Sequence, residues 1–351
     1  MENQKNNRIS VIVLNWNNAS DTVDCIRSLL RQSHPDKIII LGDNGSEIDD
    51  LNILTSEFPD NSGVKIIRFE KNLGFTLAHN ILITEALKDD PEYIALLNND
   101  AQADRDWLEF MLKCAQETGA GMVTSKMLSF YDQNKMDNAG HFMLNTGEII
   151  PIGHRESETD YKDRFYNVGP CAGACLYSSR MLKEIGLFDE YFATGYEDAE
   201  LGLRAVAAGY RSVFEPKAIV RHKMGVSVKK VMNFEYLKKI QLNIFYTYIK
   251  IMPAGFILLN LPFLMFKFFA IIIIDIIFLR IRFLKLIVAS HYSFITSELR
   301  RSLISRKKIR ENGLVRMSTM FFLKRTMFFL GFDIMRFYKF IILGNKNQYE
   351  K

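Results

Sequence analysis

The sequence is poor in cysteine and lacks motifs that would define several other classes of protein. Its 351 residues include four cysteines, too few for a disulfide scaffold, and no paired Cys-x-x-Cys spacing that suits zinc. A reducing compartment is therefore expected. No Gly-x-Gly-x-x-Gly run follows the first predicted strand, which argues against a nicotinamide or flavin enzyme. Residues 1–10 are polar, so no secretory signal is expected.

Composition and length indicate a folded protein with room for more than one domain. Hydrophobic residues make up 48% of the chain and charged residues 24%, which excludes a disordered or fibrous protein. A chain of 351 residues can form one large catalytic domain with an appendage, or two modest domains.

The formal net charge of +5 conceals a strong division of the chain. Residues 1–228 carry 23 Lys and Arg against 34 Asp and Glu, a net charge of −11. Residues 229–351 carry 22 against 6, a net charge of +16. This asymmetry predicts an acidic catalytic domain over 1–228 and a basic region over 229–351 that faces an anionic partner, either nucleic acid or a membrane leaflet.

The apolar content of the basic region favours the membrane. Residues 253–279 are almost entirely apolar, interrupted by Asn260, Pro262, Lys267 and Asp275. Long aliphatic runs have no use on a phosphate backbone, so no nucleic-acid partner is expected. Basic residues mixed with Phe, Leu and Ile are typical of helices that lie in a membrane interface. A true span over 253–279 and a soluble helical core with a basic face stay open as alternatives.

Strands and helices alternate through the first 125 residues. The predicted strands are 9–15, 37–41, 64–69, 93–97 and 121–124, and the predicted helices are 22–32, 75–87 and 106–117. Such βαβ units predict an α/β fold with a mostly parallel sheet flanked by helices. Further along, the pattern predicts hairpins and loops over 136–177, helices over 178–185 and 198–207, and a strand over 210–214.

Polar side chains follow three of the predicted strands. They are Asn15 after the first strand, Asp43 after the second, and Asn98, Asn99 and Asp100 after the fourth. In such sheets ligands bind beyond the carboxyl ends of the strands, so these side chains are expected to line one site.

Asp43 and Asp100 each allow a structural and a functional interpretation. Asp43 suits an Asx turn, or a carboxylate that binds the base or ribose of a nucleotide. Asp100 suits a helix-capping loop, or a ligand for Mg²⁺ or Mn²⁺, which prefer oxygen donors and bridge protein to diphosphate.

A third acidic cluster and one histidine lie near the end of the acidic domain. Asp198 and Glu200 suit the first turn of a helix, where the dipole favours acids, but a carboxylate there can also deprotonate an acceptor hydroxyl. His222 is either a loop histidine or a ligand.

Together these stretches resemble the family 2 inverting glycosyltransferases, which have a GT-A fold, and most closely their rhamnosyltransferase-like branch. The matching stretches are Val11–Asn17, Asp43–Ser46, Asn72–Phe75 with Asn80, Leu97–Asp100, Gly173-Ala174, Gly186–Glu190, Glu197-Asp198 with Arg204, and His222–Ser227. They appear in the family's order across residues 9–227, about 60% of the chain.

For the nucleotide, the resemblance implies that Asn15 and Asp43 hold it, with Asp43 at the base. Asn72, Gly74 and Phe75 would shape the floor near ribose and diphosphate. Asn80 would orient that loop.

For the chemistry, the resemblance implies that Asp100 ends a DxD-like metal motif whose first two members are Asn98 and Asn99. His222 would complete the site of a divalent ion, Mg²⁺ or Mn²⁺. Of the Glu197-Asp198 pair, Asp198 would be the catalytic base, with Glu197 beside the donor.

The resemblance implies an inverting, metal-dependent enzyme that moves a sugar from a nucleotide-diphosphate donor, most readily a dTDP- or UDP-sugar. The acceptor would be a lipid-linked or polysaccharide hydroxyl at the cytoplasmic face of the cell membrane, where the chain would be peripheral. The QxxRW motif of cellulose-synthase-like members is absent, which disfavours a processive polymerase. Three rivals stay open. They are a non-catalytic nucleotide-sugar-binding or scaffold protein whose site has decayed at Asn98-Asn99-Asp100, an integral membrane transporter or synthase, and a nucleotidyltransferase.

Overall fold

The computed structural model describes residues 7–192, 195–223 and 233–337. The chain divides into two units, the first formed by Met1–His141 with Pro151–Met224 and the second by Phe142–Ile150 with Gly225–Lys351. The predicted domain boundary between 228 and 229 lies outside the described residues, as does the Met224–Ser227 part of the predicted histidine motif.

The first unit contains a large mixed sheet. Its strands are β1 (Ile9–Asn15), β2 (Lys37–Asp43), β3 (Val64–Arg68), β4 (Tyr93–Leu97), β5 (Ala101–Ala103), β6 (Met122–Ser129), β7 (Met136–Asn138), β10 (Phe165–Asn167), β11 (Ala174–Ser178) and β12 (Ser212–His222). The order along the sheet is β10-β12-β6-β11-β4-β1-β2-β3, with β5 beside β12 and β7 beside β6. Strands β8 (His141–Met143) and β9 (Ile149–Pro151) form a separate hairpin.

Helices cover this sheet, as the alternating sequence pattern predicts. They are α1 (Ala19–Leu30), α2 (Ile48–Glu57), α3 (Gly74–Ala86), α4 (Trp107–Thr118), α5 (Ser179–Ile185) and α6 (Glu197–Ala207). Burial of β1 on both faces explains its continuous aliphatic sequence, and the apolar sides of α1 and α4 join it in one core. The predicted α/β fold is therefore confirmed.

Pairing within the sheet places the predicted polar residues at one edge. Strands β3, β2, β1 and β4 are parallel neighbours, and Asn15 is the register partner of Asp43. Strand β11 runs antiparallel between β4 and β6, with Ala174 opposite Leu97. The carboxyl ends of β1, β2 and β4 thus meet at one edge, where the start of β11 joins them.

Strand β12 is longer than the sequence pattern predicts, 11 residues rather than five. It pairs with β6, with a register shift between Glu215 and Ile219, and continues to His222. His222, for which the sequence left a loop histidine and a ligand as alternatives, is therefore the last residue of a strand. The irregular stretch conceals this continuation, because Pro216 and Lys217 interrupt the apolar pattern.

The second unit is helical, as predicted for the basic region. Its helices are α7 (Phe234–Ile251), α8 (Ala254–Ile277), α9 (Ile281–Ser293), α10 (Leu299–Glu311), α11 (Thr319–Arg325) and α12 (Phe329–Phe337), with a π-helical turn at Phe294–Glu298. Among the described residues, α8 alone is long and apolar enough to cross a membrane. The hairpin segment Phe142–Ile150 belongs to this unit, although the sequence gives no sign of it.

Candidate active site

Asn15 and Asp43 form a buried pair at the carboxyl ends of β1 and β2. Asn15 Nδ2 lies 3.1 Å from Asp43 Oδ1, and both residues are fully buried. The same Nδ2 donates to Ser46 and to Asp50, at 3.1 and 2.7 Å. Asn15 Oδ1 accepts from Thr22 Oγ1 at 2.8 Å. The sequence-predicted nucleotide residues are thus brought together, with Asn15 fixing the turn around Asp43.

The turn after β2 is held against the loop that precedes α3. Asn44 accepts a hydrogen bond from Leu73 N at 2.9 Å, and Asn44 Nδ2 lies 3.1 Å from Asn72 Oδ1. Gly45 has φ +71°, and a Cβ there would lie 2.4 Å from the carbonyl carbon of Lys71. Only glycine allows this close approach of the two backbones.

The predicted floor residues lie at the start of α3, with Asn72 just before the helix and Gly74 and Phe75 in its first turn. Asn72 Oδ1 accepts from Gly74 N at 2.8 Å. The rings of Phe75 and His79 contact each other at a tilt of 33°, with centroids 4.0 Å apart. Asn80 lies away from the edge and binds the backbone of Phe188 twice, at 2.9 and 3.0 Å. Its contacts are those of a residue that holds the Gly186–Glu190 segment in place.

The pairing of β12 with β5 brings His222 to Asp100. His222 is opposite Ala101, the residue after Asp100, and His222 Nε2 lies 3.1 Å from Asp100 Oδ1. On its other side, His222 Nδ1 lies 2.7 Å from Asp137 Oδ2. Asp137 also has His154 Nδ1 3.6 Å from its other oxygen. The imidazole ring of His222 therefore lies between two carboxylates and contacts both.

The electrostatics of this cluster follow from its charges. Burial alone would lower the pKa of His222, but Asp100 and Asp137 outweigh it and raise the pKa to about 10. Burial would raise the pKa of Asp100, yet the hydrogen bond from His222 lowers it. Likewise, His154 and His222 lower the pKa of Asp137 against the effect of burial. Two carboxylates and an imidazolium thus stabilise one another.

Asn98 and Asn99 form the turn after β4, but their side chains contact different residues. Asn98 Nδ2 lies 3.3 Å from His222 Nε2, while its backbone N donates to Gly173 O at 2.8 Å. Asn99 Nδ2 donates to Thr22 Oγ1 at 3.0 Å. Thr22 therefore links Asn99 to Asn15 at the end of β1.

Asp198 reaches the same edge through the loop before β11. Its Oδ2 accepts from Ala172 N at 3.1 Å, and its Oδ1 accepts from Ala199 N at 2.7 Å. Ala172 precedes Gly173, whose carbonyl holds Asn98. The half-buried carboxylate of Asp198 is thereby tied to the segment that lies against the end of β4.

Glu197 and Glu200 differ from Asp198 in their surroundings. Glu197 is 8% exposed, and among the described residues its Oε2 has no hydrogen-bond partner. Burial and the nearby charge of Asp198 raise the pKa of Glu197 to about 8. Glu200 is fully buried and pairs with Arg204 at 2.9 Å, which in turn donates to the carbonyl of Leu187. Asp198 is the acid of this helix start that is both partly exposed and held by backbone donors.

A divalent ion would have a small donor set here. Among the described residues no group of three His, Cys, Asp or Glu side chains is arranged to hold a metal ion. Asp100 and His222 nevertheless face one another at one edge, and Asp137 fixes the ring so that Nε2 points to Asp100. Mg²⁺-type ions commonly take one or two protein ligands together with substrate phosphates. The residues present fit such an ion once it displaces the proton that the raised pKa of His222 keeps on the ring.

Sequence reasoning missed several members of the site. Asp137, Thr22 and Asp50 all contact predicted residues. His141 is another, since it is buried, its Nδ1 has no partner among the described residues, and burial lowers its pKa although the charge of Asp198 opposes this. Asp137 and His141 lie in the segment interpreted as hairpins and loops, where no periodicity locates a side chain.

Comparison with known proteins identifies the family of the chain. The profile of Glycosyl transferase family 2 matches residues 10–186, about half of the chain. The chain belongs to this family.

Two relatives whose names state a function are only distantly similar to this chain. Glycosyltransferase GlyG of Streptococcus pneumoniae is 26% identical over 140 residues, which cover 40% of this chain and 44% of that protein. O-antigen biosynthesis protein RfbC of Myxococcus xanthus is 27% identical over 197 residues, covering 54% of this chain and 15% of that protein. The chain thus spans less than half of the length of these relatives.

A solved structure shares the fold. The crystal structure of GalNAc-T7 with UDP, GalNAc and Mn²⁺ superposes with a TM-score of 0.55 at 14% sequence identity, covering 72% of this chain and 49% of that one. At this identity the likeness concerns the fold alone. The expected GT-A fold is confirmed.

Proposed function

We propose that the protein is an inverting glycosyltransferase that moves one sugar from a nucleotide-diphosphate donor to a hydroxyl group of a lipid-linked or polysaccharide acceptor. A dTDP- or UDP-sugar is the proposed donor, and rhamnose is the sugar suggested by the resemblance. O-antigen, capsule or cell-wall glycan synthesis is the proposed setting, which the similarity to an O-antigen biosynthesis protein supports.

The convergence of three carboxylates on one sheet edge carries this proposal. Asp43 ends β2, Asp100 follows β4, and Asp198 is bonded to the loop that leads into β11 beside β4. A donor bound across this edge would place its nucleotide at Asp43 and its diphosphate at Asp100.

The proposed reaction is a single in-line displacement at the anomeric carbon. Asp198 would remove the proton of the acceptor hydroxyl as its oxygen forms the new glycosidic bond and the bond to the nucleoside diphosphate breaks. General-base help of this kind contributes about 10²–10⁴ in rate. Glu197 suits this role less well, because its raised pKa keeps it protonated near neutral pH.

Asp100 and His222 would hold the divalent ion, Mg²⁺ or Mn²⁺. When bound, such an ion neutralises charge that develops on the leaving diphosphate. The protein would orient these two ligands. Asn98 contacts His222, and the contact with Asp137 fixes the orientation of the His222 ring.

We further propose that the enzyme works at the cytoplasmic face of the cell membrane, held there by its second unit. The support is the exposed apolar surface of α8 together with the basic charge of residues 229–351. Replacing Leu258, Met265 and Ile273 by glutamate should release the protein from vesicles that contain phosphatidylglycerol. Unchanged flotation of this variant with the vesicles would contradict membrane binding through α8.

The donor site is tested by thermal shift of the full chain with UDP, dTDP, GDP, CDP and CMP, each with and without Mn²⁺. A ligand that binds only the folded state at a hundredfold excess over Kd raises stability by about 2.7 kcal/mol. One diphosphate whose shift needs Mn²⁺ is the expected result. No shift with any of them would favour a non-catalytic scaffold protein whose nucleotide site has decayed.

Two variants separate the proposed roles. Asp198→Asn should lower transfer by about 10²–10⁴ and leave the Mn²⁺-dependent nucleotide shift intact. Asp100→Ala should instead abolish that shift. Asp163→Asn, which alters an exposed carboxylate, serves as the control. Equal loss of nucleotide binding in both site variants would refute this division of roles.

A further inference from the structure

Helix α8 has two different sides along its whole length. Asn260 and Lys267 are seven residues apart, about two turns, and so lie on the same side. Leu258 and Met265 each lie two positions before one of them, about 200° round the helix, and so lie on the opposite side. The apolar helix is therefore amphipathic, although its composition conceals this.

The polar side of α8, which we call the polar seam, is bound by other parts of the second unit. Asn260 Oδ1 accepts from Asn145 Nδ2 at 2.8 Å. Lys267 Nζ lies 2.7 Å from Glu148 Oε1 and 2.8 Å from Asp333 Oδ2. Asn260 is 3% exposed, and the side chain of Lys267 is 14% exposed. The polar residues that interrupt the apolar run thus serve to attach α8 to the hairpin and to α12.

The opposite side of α8 is bare. The residues on this side include Leu258, Met265, Phe269, Ile273 and Ile276, each more than half exposed, and the flanking Leu259 and Phe266 are more than half exposed as well. Only 6% of the most apolar 18-residue window is buried. An uncovered apolar strip of this length needs a partner of matching chemistry.

The polar seam disfavours a helix that crosses the bilayer. Lys267 is the fourteenth of 24 residues, so a spanning α8 would place it near the bilayer centre together with Glu148 and Asp333, one cation with two carboxylates. Charges at that depth are costly.

The backbone around the seam leads to the same conclusion. The hairpin tip meets the connection between α11 and α12 through an isolated bridge of Leu144 with Met327, and Asn145 N donates to Met327 O at 2.9 Å. Asn145 Oδ1 accepts from Phe329 N at 2.8 Å. Irregular backbone is tolerated in the hydrocarbon region only where protein or water covers it, and Met327 and Phe328 in this connection are half exposed.

We infer that α8 lies in the plane of the membrane surface, with its bare side immersed in one leaflet and its polar seam facing the rest of its own unit. This inference rests on the membrane association proposed above and specifies its geometry. The immersion expected for such a helix is about 5–10 Å.

The basic residues that follow α8 indicate binding to a surface of anionic lipids. Arg280, Arg282 and Lys285 follow directly after the end of α8. Leu279 and Ile281, which alternate with the arginines, are half or more exposed. Basic residues interleaved with exposed apolar ones are expected to bind the headgroups of anionic lipids.

The test measures the depth of four tryptophans along the bare side. Leu258→Trp, Met265→Trp, Ile273→Trp and Ile276→Trp are prepared singly in the full chain and mixed with vesicles of phosphatidylcholine and phosphatidylglycerol. Lipids brominated at different acyl positions report depth by quenching. The signal of the parent protein, from Trp16 and Trp107, is subtracted.

An in-plane helix predicts the same shallow depth at all four positions. A spanning helix predicts that Met265→Trp is deepest and that the tryptophans at 258 and 276 are shallow, since these positions are about 27 Å apart along the axis. That pattern would overturn the in-plane geometry but leave membrane association standing. Absence of quenching at every position would overturn both. Tyr131→Trp, at an exposed position of the first unit, is the control and should stay unquenched.

Discussion

Asp137 and His222 are joined by a contact of 2.7 Å between Oδ2 and Nδ1, although 85 positions separate them in the sequence. Since Nδ1 is occupied in this way, Nε2 faces Asp100 at 3.1 Å. A carboxylate that binds the far nitrogen of a metal-ligating histidine orients the ring and strengthens it as a ligand. We therefore expect Asp137 to act on the proposed ion through His222.

Asp137→Ala should weaken Mn²⁺ binding about 10- to 100-fold, because loss of such an outer partner has this effect in metal sites. The free Mn²⁺ signal in electron paramagnetic resonance titrations, with UDP present, measures it without any turnover.

Asp137→Asn keeps an oxygen that can accept the Nδ1 hydrogen and should lose less affinity than Asp137→Ala. Asp163→Asn should bind Mn²⁺ like the parent. Parent-like affinity in Asp137→Ala, with an unchanged melting temperature, would refute the orienting role.

Glu197 should make the protein less stable as the pH rises. Its pKa is raised from 4.5 to about 8 in the folded chain, so between these values the unfolded state releases a proton that the folded state keeps. The contribution of Glu197 to the free energy of unfolding is fully present below about pH 4.5. It is lost as the pH rises towards 8, at up to about 1.4 kcal/mol per pH unit.

Glu197→Gln should flatten this part of the stability profile, measured by urea unfolding from pH 5 to 8. Glu70→Gln, at an exposed position, should retain the parent slope. Identical slopes in the parent and Glu197→Gln would contradict the raised pKa.

Gly45→Ala should be more destabilising than Gly119→Ala. Both glycines have positive φ, +71° and +64°, which costs an alanine roughly 1–2 kcal/mol. At Gly119 a Cβ meets nothing within 4 Å, whereas at Gly45 it overlaps the backbone of Lys71. Chemical unfolding measures the loss in free energy of unfolding for each variant. Nucleotide binding should fall in Gly45→Ala alone. Equal destabilisation of the two variants would mean that the Lys71 backbone moves away from the new Cβ at little cost.

Arg204→Leu should destabilise the first unit by about 3–5 kcal/mol, because it leaves the fully buried carboxylate of Glu200 without this cation. The double variant with Glu200→Leu should recover part of the loss, since both charges are then gone. Full recovery is not expected, because Arg204 also donates to the carbonyl of Leu187. Lys113→Leu, in an exposed pair with Glu117, should change the free energy of unfolding by less than about 1 kcal/mol.

The sequence predicts those parts of the fold that local pattern specifies. Strands β1 and β4 have their predicted bounds, because each is a continuous buried aliphatic run between polar turns. Helix α2 was not predicted, since its apolar side is narrow, with only Leu51 and Leu54 buried. Helix α1 begins at Ala19, three residues before the predicted start.

Sequence pattern alone locates site residues at or just after strand ends, such as Asp43 and Asp100, and the family resemblance adds Asp198 and His222. Asp137 was missed because it reaches the site through long-range pairing. It lies on β7, which pairs with β6, and β12, which ends at the predicted His222, pairs with β6 on its other side. No local sequence pattern encodes the pairing of β7 and β12 with β6. The neighbours of Asp137 therefore cannot be identified until this pairing is known.

The hairpin segment Phe142–Ile150 has a consequence for dissecting the protein. The backbone leaves the first unit at His141, contributes this segment to the second unit, and returns at Pro151. A fragment that stops near residue 228 would therefore keep Asn145 and Glu148 but discard their partners Asn260 and Lys267. Truncation of the gene at the obvious junction would create two incomplete pieces rather than two modules, so point substitutions are the cleaner way to separate catalysis from lipid binding.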